Sequence, residues 1–238
     1  LSLLMLMWIV IGFFVRRLYL SNLVVNIQKR RLGEMALSDL DNASLELIKG
    51  GLKSPYPAEI FYCLNLLEEM EHPEITELIK ALLDHKNRDV RLDILRRIAS
   101  LNIQPLTNRV LERVKEEPDP MVTGQALKTY AALGPADTTD KLLPYLDTSQ
   151  QYIRKGALIG VLCFDRNNEI ANRYLLDSVR SQDINERLFA AEVIGETPAP
   201  HFSGYLVELL EDTDPKILER AIVAAGNLQD PRLASILV

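Results

Sequence analysis

The chain has 238 residues, of which 47% are hydrophobic but only 6% aromatic, and it carries a formal net charge of -6. A core drawn from Leu, Ile, Val and Ala fits closely spaced helices better than a β-sandwich. Two cysteines, Cys63 and Cys163, are too few and too far apart for a disulfide framework and point to a reducing compartment. Charge is unevenly spread: residues 1–33 hold five basic groups and no acid, which leaves 34–238 at -11.

The first predicted element is apolar. No charge appears from Leu1 to Val15 in "LSLLMLMWIVIGFFV". Fifteen residues fall short of the roughly 20 that span a bilayer as a helix. The chain opens on Leu rather than Met, so the expectation is the end of a transmembrane helix over 1–15 whose front precedes it. Arg16 and Arg17 follow the apolar run, the reverse of a signal peptide. Positive charge marks the cytoplasmic side, so everything downstream is expected there, with residues 1–20 in a membrane, on this reading the bacterial inner membrane. Residues 16–42 read as a basic juxtamembrane helix and linker. Arg16, Arg17, Lys29, Arg30 and Arg31 suit anionic lipid headgroups, at about 1 kcal/mol each. A solvated face that merely sets topology is the plainer alternative.

From residue 43 the sequence repeats. With Ala58, Val90, Val122, Ile153, Glu186 and Ile217 as origins, the spacings are 32, 32, 31, 33 and 31. Eleven residues before each origin stand Leu47, Ile79, Leu111, Leu142, Leu175 and Leu206. Four after stand Tyr62, Ile94, Ala126, Ala157, Ala190 and Ala221; eight after stand Leu66, Ile98, Tyr130, Val161, Ile194 and Ala225. These columns lie on one face of a 3.6-residue helix. Three before each origin stand Pro55, Asn87, Asp119, Gln150, Asp183 and Asp214, mostly residues that cap helix starts. Pro120 and Pro215 follow two of them, at the first helical position. Each repeat is thus a helix A, a turn, a helix B and another turn. Small residues four after the origin let neighbouring helices B approach, and stacking buries faces that no single hairpin covers. Leu237 falls 31 residues after Leu206, so the sequence is expected to stop inside a further helix A, with the repeats continuing beyond it.

This pattern resembles the HEAT-repeat family in its short-period, bilin-lyase-like form, over residues 43–238. "DHKNRDVRLDILRRIASL" carries the resemblance best, through Val90, Arg91 and Ile94. The family often places Arg just after the origin, as Arg91, Arg154 and Arg187 do; Glu59, Thr123 and Leu218 depart. It often places an acid near the turn, as at Asp84, Glu116, Asp147 and Glu211, whereas Leu52 and Arg180 depart. The resemblance implies an all-α, right-handed α-solenoid of about six helical hairpins behind a transmembrane helix, with a charge ladder between repeats. The junction "W…RRLYLSNL…QKRRL" also looks like bacterial nucleotide-transporter-like major facilitator proteins, whose last membrane helix leads into a cytoplasmic HEAT module.

Chemistry is not evident. His72, His85 and His201 sit in turns without partners at metal-ligand spacing. Cys63 and Cys163 read as small core residues rather than nucleophiles. Gly195 and Gly226 share a column and read as packing glycines, while Gly50 and Gly51 weaken the first helix A. No catalytic residue, cofactor or metal is assigned, and the chain reads as a non-enzyme.

What remains is a surface. Helix B usually lines the concave side of such stacks. Its outward positions include Asp93, Arg96, Arg97, Gln125, Lys128, Lys155, Phe189 and Arg220, with Phe189 expected to be exposed. A solvated face competes with a protein-binding groove. Nucleic acid is disfavoured, since the acidic body lacks a basic stripe with aromatics. The expected function is a protein-binding scaffold or regulatory module on the cytoplasmic face of a membrane protein. The alternatives are the tail of an ATP/ADP-type nucleotide transporter and, against the apolar leader, a bilin lyase-like enzyme.

Overall fold

The computed structural model describes residues 42–228 apart from 198, together with 230 and 233. The expected transmembrane end over 1–15, the linker over 16–42 short of Asn42, the five basic groups of residues 1–33 and Leu237 lie outside the described residues. No described helix is long and apolar enough to cross a membrane. Among the described residues all regular structure is helical, with twelve α-helices and no strand. In order these are α1 (Asn42–Gly51), α2 (Pro57–Glu69), α3 (Ile75–Leu82), α4 (Arg88–Ser100), α5 (Thr107–Glu116), α6 (Pro120–Leu133), α7 (Thr138–Leu142), α8 (Gln151–Phe164), α9 (Glu169–Val179), α10 (Ile184–Glu196), α11 (Ser203–Leu210) and α12 (Pro215–Leu228). Odd numbers are helices A and even numbers helices B. The chain divides into two compact units that part between Glu77 and Leu78.

In the first unit α1 packs on α2 around Ile48, Leu52, Ile60, Leu64 and Leu67. The register differs from the sequence reading. Leu47 is 78% exposed and its neighbour Ile48 is buried; Ile60, not Ala58, opens the buried face of α2. Tyr56, not Pro55, stands at the helix start. The apolar column slips here because Leu47 and Ile48 are adjacent apolar residues, and either could turn inward. Gly51 has a packing role: a Cβ there would lie 2.4 Å from the Cys63 sulfur.

In the second unit the hairpins stack in series, solenoid fashion. Helix α4 packs on α6, α6 on α8, α8 on α10 and α10 on α12, while α5, α9 and α11 each pack on the helix B that follows. The helix-B columns form the core: Val90, Ile94, Ile98, Val122, Ala126, Ala157, Val161, Ala190, Ile194, Ile217 and Ala221 are inaccessible to solvent. Ile79, Leu142, Leu175 and Leu206 are likewise inaccessible, but Leu111 is half-buried and Val110 takes its place. The fourth helix A is interrupted. α7 lasts five residues and continues as a 3-10 turn over Leu143–Asp147, because Pro144 has no N–H for the α-helical ladder.

The turns explain why each helix B starts where it does. Asn87 accepts hydrogen bonds from the N–H groups of Asp89 and Val90, Asp119 from Met121 and Val122, Asp183 from Asn185, and Asp214 from Lys216. A second column precedes these caps. Ser54, His85, Glu117, Thr148, Ser181 and Asp212 each accept the backbone N–H two residues later, at 2.9–3.3 Å. Side chains of five kinds share one role, so identity hides the column while hydrogen-bond capacity reveals it.

The ladder between repeats is real but shifted. Arg91 donates from Nε and Nη2 to Glu117 at 2.9 and 2.8 Å, and from Nη1 to the His85 and Lys86 carbonyls. Arg187 repeats this with Asp212 and the Ser181 and Gln182 carbonyls. The acids are therefore Glu117 and Asp212, one residue beyond the expected Glu116 and Glu211. Asp84 instead receives Arg109 and Arg113 of α5, and Arg154 reaches Glu186. Nor is the ladder simply an exposed one. Arg91 keeps 9% of its side-chain exposure and Glu117 none. Burial pushes the Glu117 carboxyl up, but the bonds from Arg91 and Arg113 outweigh it and hold it below the usual range.

Thr123 replaces the ladder Arg at the α6–α8 step and bonds its own turn, to the Asp119 carbonyl at 3.1 Å. Here contact between backbones substitutes for the ladder. A Cβ on Gly124 would lie 2.3 Å from the Tyr152 carbonyl oxygen, and one on Gly156 2.2 Å from the Gly124 carbonyl oxygen. A Cβ on Gly195 would lie 3.2 Å from the Ala224 Cβ, a tight fit, but a Cβ on Gly226 would meet nothing within 4 Å, so packing does not explain that glycine here.

Candidate functional site

The stacking of the second unit puts one face of each helix B side by side. Two grooves run along this face. One, of about 380 Å³, is lined by Leu92 and Arg96 of α4, Met121, Gln125 and Lys128 of α6, Tyr152 and Lys155 of α8, and Glu196 of α10. The other, of about 230 Å³, continues from Lys155 and Glu196 to Glu192 of α10 and to Arg220, Val223 and Asn227 of α12. Lys155 and Glu196 belong to both, so five successive helices B contribute to one continuous surface.

Its centre is a charge network. Lys128 Nζ lies 2.8 Å from Glu196, and Lys155 Nζ lies 3.0 Å from Glu192 and 3.3 Å from Glu196. Lys128 thus reaches past α8 to α10, a span helped by the glycine contact that draws α6 and α8 together. Burial pushes the Lys155 amine down, but Glu192 and Glu196 outweigh it and raise it. Burial pushes the Glu196 carboxyl up, but Lys128 and Lys155 outweigh it and lower it. Both groups are held in their charged forms. Lys155 also lies 6.0 Å from the Tyr152 ring. Met121, Tyr152 and Val223 are exposed on the same face.

Five of the residues named from sequence reach this surface: Arg96, Gln125, Lys128, Lys155 and Arg220. Asp93 and Arg97 do not line it; they pair across one turn of α4 at 2.5 Å and are half-buried. Phe189 is corrected outright. It is fully buried, because its ring lies under the Arg154 guanidinium of α8, 4.6 Å away, while Glu186 holds that guanidinium from the next helix. Cys163 is corrected too: it is exposed in the last turn of α8, whereas Cys63 is buried and its thiol is pushed up to about 11 by burial and the Glu59 charge.

Glu192, Glu196, Tyr152 and Met121 escaped the sequence reading. Glu192 stands in the same column as Arg96 and Lys128, six residues after the origin, so a change of sign along one column was the available signal. The bonds of His72 and His85 are structural: each Nδ1 accepts a backbone N–H, from Glu74 and Asn87. Among the described residues no group of three His, Cys, Asp or Glu is placed to hold a metal ion.

Comparison with known families agrees with this architecture. The family model for HEAT repeats matches residues 75–163, from the start of α3 into the last turn of α8. Together with the all-helical hairpins this supports a HEAT-repeat protein. Among curated proteins none matches the chain.

Proposed function

We propose that the chain is a non-catalytic protein-binding module that works through the helix-B face of its second unit. The observation that carries this reading is the surface shared by α4, α6, α8, α10 and α12, on a fold of the kind that generally mediates protein–protein contact. Such a face presents fixed charges and exposed apolar side chains over five repeats, which suits a macromolecule better than a small substrate. The test is site-specific photo-crosslinking in the intact protein. A crosslinker at Gln125 or Asn227 is expected to trap a discrete protein, and one at Arg173 or Asp177 of α9 is not. Equal trapping from both faces, or from α9 alone, overturns the reading.

We propose further that residues 1–20 hold this module at the cytoplasmic side of a bacterial inner membrane, with Arg16, Arg17, Lys29, Arg30 and Arg31 against lipid headgroups. The uncharged run to Val15 and the acid-free basic segment after it support this. The tail of a nucleotide transporter is the more specific form of the same reading. Recovery in the membrane fraction, with the repeats digested by protease only in inverted vesicles, is the expected result; recovery of the same chain in the supernatant contradicts it.

A further inference from the structure

We propose that the occupant of the helix-B face is an acidic peptide laid in extended form across the helices from Arg96 to Arg220. This deepens the protein-binding reading and rests on it. Arg96 and Arg220 are exposed at the two ends of the paired grooves and make no ion pair or hydrogen bond among the described residues. Between them stand Lys128 and Lys155. The lining therefore holds four cations against two carboxylates, Glu192 and Glu196, on a chain whose residues 34–238 carry -11. A surface of this sign on an acidic body draws a partner of the opposite sign.

The protein already contains a picture of the contact. The Glu196 carboxylate sits 2.8 Å from one lysine ammonium and 3.3 Å from another. Glu196 fills that place, so a partner's carboxylates find their open donors at either end, in the Arg96 and Arg220 guanidinium groups, which make no ion pair among the described residues. Length follows from packing. Helices in contact lie roughly 8–10 Å apart, so the four steps from α4 to α12 amount to about 35 Å. At about 3.3 Å per residue that is an extended segment of roughly ten or eleven residues. Exposed Met121, Tyr152 and Val223 between the charges call for apolar side chains among the acids. A peptide can place carboxylates at the cations alone. A nucleic-acid strand has a phosphate at every step and meets Glu192 and Glu196 midway.

The experiment is a selection of random twelve-residue peptides on the full chain, with an Arg96→Glu/Arg220→Glu double variant as counter-selection. Both positions are exposed, and superposable circular-dichroism melts check that the variant folds. The expected peptides are rich in Asp and Glu with apolar residues between them. A fluorescein-labelled example is expected to lose at least about tenfold in affinity on the double variant and to weaken as salt rises. Groove-dependent peptides that are neutral or basic overturn this inference and leave the protein-binding reading standing. Recovery of no groove-dependent peptide overturns both. A labelled twelve-nucleotide thymidine strand that binds as tightly, with the same dependence on Arg96 and Arg220, also overturns it.

Discussion

Replacing Glu117 by Ala tests the buried rung between α4 and α6. Its carboxylate accepts two bonds from Arg91, two from Arg113 and one from the Asp119 N–H. Its side chain is fully buried and that of Arg91 nearly so, so truncation strands a guanidinium away from water. Removing one partner of such a pair costs about 3–5 kcal/mol. For a chain of this size that is roughly a 6–20 °C fall in Tm. Glu208→Ala is the control, because its pair with Arg180 is 41% and 61% exposed; there the loss is under about 1 kcal/mol. Circular-dichroism melts of the intact protein give both values, and hydrogen exchange should place the Glu117 loss in α4 to α6. Equal effects of Glu117→Ala and Glu208→Ala would refute the reasoning. The same group sets a pH dependence. Its folded value lies below the ordinary 4.5, so its contribution is complete above 4.5 and is lost as pH falls through the lower folded value. The stability gap between the native chain and Glu117→Gln should therefore narrow only below about pH 4.5.

Other substitutions separate packing from propensity. Gly156→Ala places a methyl 2.2 Å from the Gly124 carbonyl oxygen and should cost about 1–3 kcal/mol in a thermal melt. Gly226→Ala meets nothing and should stabilise α12 by about 0.5–1 kcal/mol. Asp119→Ala removes the cap of α6 and should cost about 1 kcal/mol in urea unfolding. A maleimide reagent at pH 7 should label exposed Cys163 before Cys63, whose thiol is buried and pushed up to about 11; mass spectrometry of the digest reads the order.

Helix B was legible in the sequence because three signals agree there. Ala126, Ala157, Ala190 and Ala221 mark close packing, Asn87, Asp119, Asp183 and Asp214 mark the starts, and the period ties them together. Helix A was less legible: Leu47 stands beside Ile48 and Leu111 beside Val110, and an adjacent apolar pair leaves the facing side open by one residue. The ladder acids slipped by one for a similar reason, since Glu116-Glu117 and Glu211-Asp212 are acid pairs and only the turn decides which member points back. Phe189 was misplaced because its column is polar or Gly in the other repeats of the second unit; the space that admits it lies beneath Arg154, a feature of the neighbouring helix. The groove was only half visible. Its cations stand on the helices as expected, but Glu192 and Glu196 become their partners only when α6, α8 and α10 are stacked.

The most direct measurement is hydrogen exchange of the full chain with and without the protein trapped through Gln125. Protection gained along α4, α6, α8, α10 and α12, with α5, α9 and α11 unchanged, is the predicted result. Protection confined to α5, α9 and α11 would contradict the assignment of the helix-B face.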